Sequence, residues 1–113
     1  MSRWLGTTLP LLLMAGCAQQ HTAELEQNAL TLSLRAPDAR EVQLLCSYDH
    51  FTPHPALRDR GGNWRSTGLP DVDFTYFYRV DGKALTPDCR FTANDDFGIT
   101  NCRHIPRIQQ ASR

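Results

Sequence analysis

The feature that most constrains the fold is a two-residue repeat of apolar side chains in two parts of the chain. The apolar residues recur at every second position, at Leu30, Leu32 and Leu34 and again at Phe74, Tyr76, Tyr78 and Val80. A period of two is typical of a β-strand with one buried face. No stretch sustains the 3.6-residue period of an amphipathic helix. The sequence therefore predicts an all-β fold, and short strands at this spacing favour a β-sandwich.

Turn signals divide the rest of the chain into further short strands. We expect strands over 30–35, 42–47, 64–67, 74–80, 83–85 and 102–108, with loops over 49–62 and 92–98. Asp81-Gly82 is a strong hairpin signal between two of them. Phe77 lies on the opposite face of its strand from Tyr76 and Tyr78, which suits a central strand covered on both sides. The predicted domain spans 30–108, and 109–113 is expected to be a frayed tail.

The N-terminus carries the pattern of an export signal that ends at a cysteine. Arg3 precedes an apolar run over 4–14, and the small residues Ala15 and Gly16 lie directly before Cys17. The run is about half the roughly 20 residues that a membrane-spanning helix needs. This stretch resembles the lipobox of bacterial lipoproteins. The resemblance implies a signal peptide over 1–16 and a lipid on Cys17; a plain secretory signal with an incidental cysteine is the alternative.

The lipobox resemblance also implies where the protein works. Ala18 follows the cysteine, a pattern that in Gram-negative lipoproteins implies sorting to the outer membrane, on either its periplasmic or its surface face. The membrane is then a partner through the lipid anchor. The polar residues that follow predict a lipidated cysteine and flexible tether over 17–29. A tether of about 11 flexible residues has an r.m.s. span of about 20 Å.

The overall charge excludes one class of partner. The formal net charge is zero, and no part of the chain forms a basic stripe. Binding to nucleic acid depends on clustered Lys and Arg that neutralise phosphates. We therefore expect no nucleic-acid partner.

Three cysteines remain if Cys17 is lipidated, and an export signal places them where disulfides form. Cys89 and Cys102 flank a polar loop and are the nearest pair in sequence, which favours a disulfide between them. Closing that loop would contribute about 3 kcal/mol on the chain-entropy model. Cys46 lies in an apolar strand pattern, as a small buried side chain would. Pairing of Cys46 with either of the other two stays open, because sequence does not determine connectivity.

Four stretches, in the same order, resemble a family of sugar-binding domains. They are 34–42, the Ser-Tyr-Asp-His-Phe of 47–51, the Tyr-Phe-Tyr-Arg-Val-Asp-Gly of 76–82 followed by Pro87-Asp88, and 94–98 with Asn101. They resemble the early-set domains of isoamylases and branching enzymes and the family 48 carbohydrate-binding modules, including the glycogen-binding domain of AMP-activated kinase. The resemblance implies an immunoglobulin-like β-sandwich.

The sugar-contacting positions of that family are only partly retained. The first stacking tryptophan falls at Phe51, which keeps an aromatic ring, whereas the second falls at Ala84. The supporting lysine and asparagine fall at Phe77 and Cys102. A reduced site would combine Phe51 with Asp49, His50 and Lys83. The alternative is that Phe51 fills the core beneath the Pro53-His54-Pro55 loop.

Other constellations carry little chemistry. His50 and His54 are four residues apart, but Pro53 and Pro55 disfavour the helix that would bring both to one metal ion. Oxygen ligands for calcium could come from Asp88 and 94–96. A turn held by its own Asx hydrogen bonds is the simpler explanation for 94–96.

These observations lead to one functional prediction and two alternatives. No nucleophile elbow, metalloprotease motif or phosphate loop is present, so we predict no catalytic residue, no metal and no cofactor. The prediction is a non-catalytic outer-membrane lipoprotein whose sandwich binds a protein partner in the envelope or serves a larger assembly. Binding of a glycan around Phe51 is the first alternative. A small envelope enzyme is the second.

Overall fold

The computed structural model describes residues 20–107. The strands are β1 (His21–Glu26), β2 (Ala29–Arg35), β3 (Val42–Cys46), β4 (His54–Pro55), β5 (Leu57–Arg58), β6 (Asn63–Pro70), β7 (Phe74–Val80), β8 (Lys83–Leu85), β9 (Thr92–Asn94) and β10 (Thr100–His104). A 3₁₀ turn, Ser47–Asp49, follows β3. The predicted signal peptide over 1–16, the lipidated Cys17 and the tail over 109–113 lie outside the described residues. No helix within the described part of the chain is long and apolar enough to cross a membrane.

The strands form two antiparallel sheets packed face to face. One sheet has the order β1-β2-β6-β5, and the other has the order β4-β3-β7-β10-β9 with β8 also paired to β7. Short hairpins and crossovers between two such sheets are characteristic of immunoglobulin-like sandwiches. The predicted all-β, immunoglobulin-like sandwich is confirmed.

The apolar residues of the alternating pattern form the core between the two sheets. The inner faces contribute Leu30, Leu32 and Leu34 from β2, Val42, Leu44 and Cys46 from β3, and Phe74, Tyr76 and Tyr78 from β7. Because side chains of a strand alternate between faces, one period-two run supplies one complete layer of the core. The intervening residues of β7 face outward, and Phe77 is half-buried there.

The cysteine pairing follows from the position of the central strand β7. Tyr76 pairs with Cys46 of β3 on one side and with Cys102 of β10 on the other. Since neighbouring strands lie about 4.8 Å apart, the Cα atoms of these two cysteines are about 10 Å apart, too far for a disulfide. Cys102 is bonded to Cys89, as predicted. Burial raises the pKa of the Cys46 thiol to about 12, so it stays protonated and inert.

The tether prediction was wrong for much of 17–29. His21–Glu26 forms β1, which pairs along its whole length with β2 from His21↔Leu34 to Glu26↔Ala29. The connecting residues Gln27 and Asn28 have φ of 53° and 69°, the positive values of a tight hairpin turn. The sequence concealed this hairpin because its turn contains no glycine and only one face of β1 touches the core.

Pairing with neighbouring strands also makes other observed strands differ from the predicted ones. β6 continues to Pro70, beyond the predicted strand over 64–67, because it pairs with β2 as far as Ala29↔Pro70. β4, β5 and β9 lie in segments predicted as loops. These strands have two or three residues, too few for a recognisable period, and exist through hydrogen bonds to their neighbours.

Candidate functional site

The loop after β3 presents Phe51 in an unusual backbone conformation. His50 and Phe51 have φ of 61° and 58°, in the left-handed region that non-glycine residues seldom adopt. The N–H of Phe51 donates to the carbonyl oxygen of Cys46 at 2.8 Å, and that of His50 donates to Ser47. Such strained residues persist only where the surroundings hold them, and they cluster at functional sites.

Asp49 holds the conformation of this loop through its side-chain hydrogen bonds. Its carboxylate accepts a hydrogen bond from the backbone N–H of Thr52 and is paired with the His54 ring. The hydrogen bond from His54 holds the pKa of Asp49 below its usual value. Ser47 Oγ accepts from the N–H of Thr75 at 2.9 Å, which fastens the loop to β7. Asp49 therefore shapes the loop from within rather than offering its carboxylate to a ligand.

The Phe51 ring lies on the outer face of the larger sheet. It is 37% exposed and packs against Phe77, with ring centroids 5.8 Å apart and planes 33° apart. Leu45, which pairs with Phe77, is only 3% exposed although it faces the same way. The ring is thus a partly exposed surface platform, and the expectation that it fills the core beneath the 53–55 loop was wrong.

The hairpin between β9 and β10 contributes a second aromatic ring, that of Phe97. The Asp95 carboxylate accepts hydrogen bonds from the N–H groups of Phe97 and Ile99 at 2.8 and 2.9 Å. These are the Asx hydrogen bonds expected for this segment, and Gly98 supplies the positive φ of 80° that completes the turn. Phe97 is 89% exposed at the tip.

The two rings line one depression, which we call the Phe51–Phe97 depression. Its volume is about 290 Å³, and its lining includes Phe51, Thr75, Asn94, Asp96, Phe97 and Asn101. Asn101 is 8% exposed, and within residues 20–107 its side-chain amide has no hydrogen-bond partner. An amide offers two donors and one acceptor oxygen. The depression thus combines two flat apolar rings with an unpaired amide and two carboxylates, Asp95 and Asp96.

The other predicted ligand-binding residues lie elsewhere. His50 is exposed next to Phe51 but does not line the depression, and neither does Asp49. Lys83 pairs with Val80, five residues along β7 from Thr75, or roughly 17 Å away. Among the four candidates, only Phe51 lines the depression.

Sequence reasoning missed Phe97 and Asn101. The family's asparagine had been aligned with Cys102, but Cys102 faces the core and is bonded to Cys89. Since side chains alternate along a strand, the neighbouring Asn101 must face outward. The signal was available in the alternation of β10. Nothing in the sequence places Phe97 beside Phe51, because that contact depends on how the hairpin curls over the sheet.

Metal binding finds no support in the described part of the chain. Within residues 20–107, no group of three or more His, Cys, Asp or Glu side chains is arranged to hold a metal ion.

Comparison with known proteins gives a likeness of fold. No protein-family model and no curated protein matches the chain. Among solved structures, it is similar to the GBS pullulanase SAP in complex with maltotetraose, with a TM-score of 0.55 and 17% identity. The match covers 74% of this chain and 14% of that one. What the two share is the fold. The chain spans a small fraction of the pullulanase, whose activity belongs to the whole enzyme.

Proposed function

We propose that this protein is a non-catalytic glycan-binding module of the bacterial envelope, held at the outer membrane by a lipid on Cys17. The observation that carries the binding function is the Phe51–Phe97 depression, which combines two exposed rings with the Asn101 amide. The resemblance to family 48 modules and the fold shared with a pullulanase solved with maltotetraose make α-glucan the first ligand to test.

The chemistry of the lining suits a sugar chain. A sugar ring has an apolar face that packs on an aromatic ring and hydroxyls at its edge that need hydrogen-bond partners. Phe51 and Phe97 offer the flat surfaces. Asn101 and the carboxylate of Asp96 offer hydrogen-bond donors and acceptors in the same depression. Ligand sites commonly combine an apolar surface with a few placed polar groups in this way.

The depression is largely formed before a ligand arrives. Asp49 and His54 brace the Phe51 loop, and Asp95 braces the Phe97 hairpin. Ordering mobile groups on binding reduces affinity, so fixed platforms favour it.

The arrangement favours binding without cleavage. Glycosidases use two carboxyl groups placed on either side of the bond they break. Asp95 Oδ1 is occupied by two backbone N–H groups, which leaves Asp96 as the freer carboxylate in the lining. This distribution of roles supports the prediction of a module without catalytic activity.

Affinity electrophoresis in gels containing soluble α-glucan tests the proposal, with maltotetraose as competitor. We expect Phe51→Ala and Phe97→Ala each to weaken retention about tenfold, because each removes one stacking surface. Leu57→Ala is the matched control, since Leu57 is 74% exposed on β5 of the other sheet and should be neutral. Circular dichroism checks that each variant is folded.

If the α-glucan gel retards both ring variants as strongly as the parent protein, the Phe51–Phe97 depression is not the binding site. If the gel containing α-glucan does not retard the protein at all, peptidoglycan and outer-membrane polysaccharides are the next probes, with the same variants.

A protein partner is the second candidate for the ligand, because Phe97 and Ile99 (58% exposed) form an apolar tip on the hairpin. This candidate predicts that no glycan gel retards the protein. It also predicts that Phe97→Ala abolishes co-purification of one specific envelope protein.

A further inference from the structure

A second cavity opens between the two sheets, at the edge that β1 forms. Its volume is about 290 Å³, and we call it the intersheet cleft. Its lining includes His21, Ala23, Tyr76, Arg90, Phe91 and Arg107. It shares no lining residue with the Phe51–Phe97 depression, so a ligand in the cleft would be independent of the proposed glycan site.

Two walls of different origin enclose the intersheet cleft. One is the inner face of β1, where His21, Ala23 and Leu25 alternate toward the sandwich interior. The other is the segment before β9, which the Cys89–Cys102 disulfide ties to β10. The N–H of Arg103 also donates to the carbonyl oxygen of Phe91 at 2.8 Å. The second wall is therefore held in place without a ligand.

The inner end of the cleft is mainly apolar, with one polar pair. Leu30 is 1% exposed there, and Leu25 and Phe91 add apolar surface. The Tyr76 hydroxyl and His21 Nε2 are hydrogen-bonded to each other at 3.3 Å. These groups satisfy one another, so the inner end suits an apolar body.

The mouth of the cleft carries an excess of positive charge. Arg103 is neutralised by Asp73, to which it donates two hydrogen bonds at 3.0 and 2.6 Å. Arg90 and Arg107 also line the cleft, and neither has an ion-pair partner among residues 20–107. The acidic group in the lining is Asp88. The Arg90 guanidinium lies over the Phe91 ring, 5.1 Å from its centroid, which holds the charge beside the apolar wall.

We propose that the intersheet cleft binds a small organic anion, with its apolar or aromatic body between β1 and Phe91 and its carboxylate or sulfonate at Arg90 and Arg107. A guanidinium presents paired N–H donors that match an oxyanion. The volume lies at the small end of ligand sites, which limits the ligand to about two or three aromatic rings or a short acyl chain.

The test uses the fluorescent aromatic anion anilinonaphthalene sulfonate and its uncharged analogue N-phenylnaphthylamine. The protein is the chain from residue 17 with Cys17→Ser. We expect saturable fluorescence enhancement with the anion, at least tenfold weaker binding of the neutral analogue, and displacement of the anion by benzoate or hexanoate. Arg90→Gln should weaken binding of the anion about tenfold and leave the neutral analogue unchanged.

Three further variants make the test specific. Ala23→Trp fills the cleft from the exposed edge strand and should abolish binding of both probes. Arg60→Gln removes a similar exposed charge far from the cleft, and Phe97→Ala alters the other depression; neither should change the enhancement. Equal affinity for both probes, or unchanged binding in Arg90→Gln and Ala23→Trp, would overturn the proposal. So would binding that emerges only after removal of 108–113, since the chain's own tail would then fill the cleft.

Discussion

The ionisation of the His21 side chain affects how strand β1 packs against the core of the sandwich. Its ring lies 5.6 Å from that of Tyr76 and 5.7 Å from that of Tyr78, measured between centroids. Burial lowers the pKa of His21 from 6.5 to about 4. Between these values the unfolded chain binds a proton that the native chain does not. The stability that neutral His21 contributes is therefore complete above about pH 6.5 and is lost as the pH falls toward 4.

A pH series measures this contribution. The pKa difference corresponds to a loss of about 3 kcal/mol in the free energy of unfolding between pH 7 and pH 4. Urea unfolding of the parent protein and of His21→Gln at both pH values isolates the effect, because the other titrating groups are common to both proteins. We expect the parent to lose more stability on acidification. Parallel pH dependence of the parent and His21→Gln would contradict the assignment.

At the scale of elements, the larger sheet depends on a covalent tie at the edge that the short strand β9 forms. β9 has three residues and pairs only with β10. The Cys89–Cys102 disulfide closes the segment between β8 and β10, with a sequence separation of 13. This one bond holds the hairpin that carries Phe97 and also the wall of the intersheet cleft. Both candidate sites thus depend on an oxidising compartment.

Removing the disulfide should lower stability by about 3 kcal/mol, the chain-entropy value for a loop of this size. The measurement is denaturant unfolding of the parent protein and of Cys89→Ser/Cys102→Ser, with and without dithiothreitol. Reductant should destabilise the parent and leave the double variant unchanged. Cys46→Ala, which alters the buried free thiol, should keep its sensitivity to reductant. A parent protein indifferent to reduction under unfolding conditions would contradict this account.

At the scale of the whole molecule, β1 changes how the domain would stand on a membrane. The strand begins at His21, only four residues after Cys17, so the linker spans at most about 14 Å instead of a long flexible reach. His21 pairs with Leu34, which pairs in turn with Trp64. The Phe51 loop packs at the other end of the sandwich, where Tyr48 meets Phe74. A lipid on Cys17 would therefore hold the Trp64 end near the bilayer and direct the Phe51 loop away from it.

Energy transfer to a dansyl-labelled lipid tests this orientation. Trp64 is the only tryptophan after Cys17, so it is a single donor in the lipidated protein. We expect efficient transfer from Trp64 in proteoliposomes and weaker transfer in Trp64→Phe/Phe51→Trp, which moves the donor to the opposite end. Cys17→Ser supplies the unanchored baseline. Equal transfer from both donor positions would show that the domain does not stand in this direction.

The sequence by itself determined the fold class and favoured a Cys89–Cys102 disulfide, whereas the exclusion of Cys46 from that bond required the structure. The alternation in 30–34 and 74–80 encodes which side chains leave water, and burial of one face requires a second layer. The position of Cys89 and Cys102 around one loop made their pairing the shortest closure. These are local properties, readable from neighbours along the chain.

Only the tertiary structure decided which distant segments lie side by side. β1 is a strand because β2 offers it hydrogen bonds, although His21–Glu26 has little apolar period of its own. Phe97 and Asn101 share a depression with Phe51 because the β9–β10 hairpin curls over the outer face of the sheet. Backbone hydrogen bonds between strands are the same for almost any sequence, so the choice of neighbour is made by the packing of the whole sandwich.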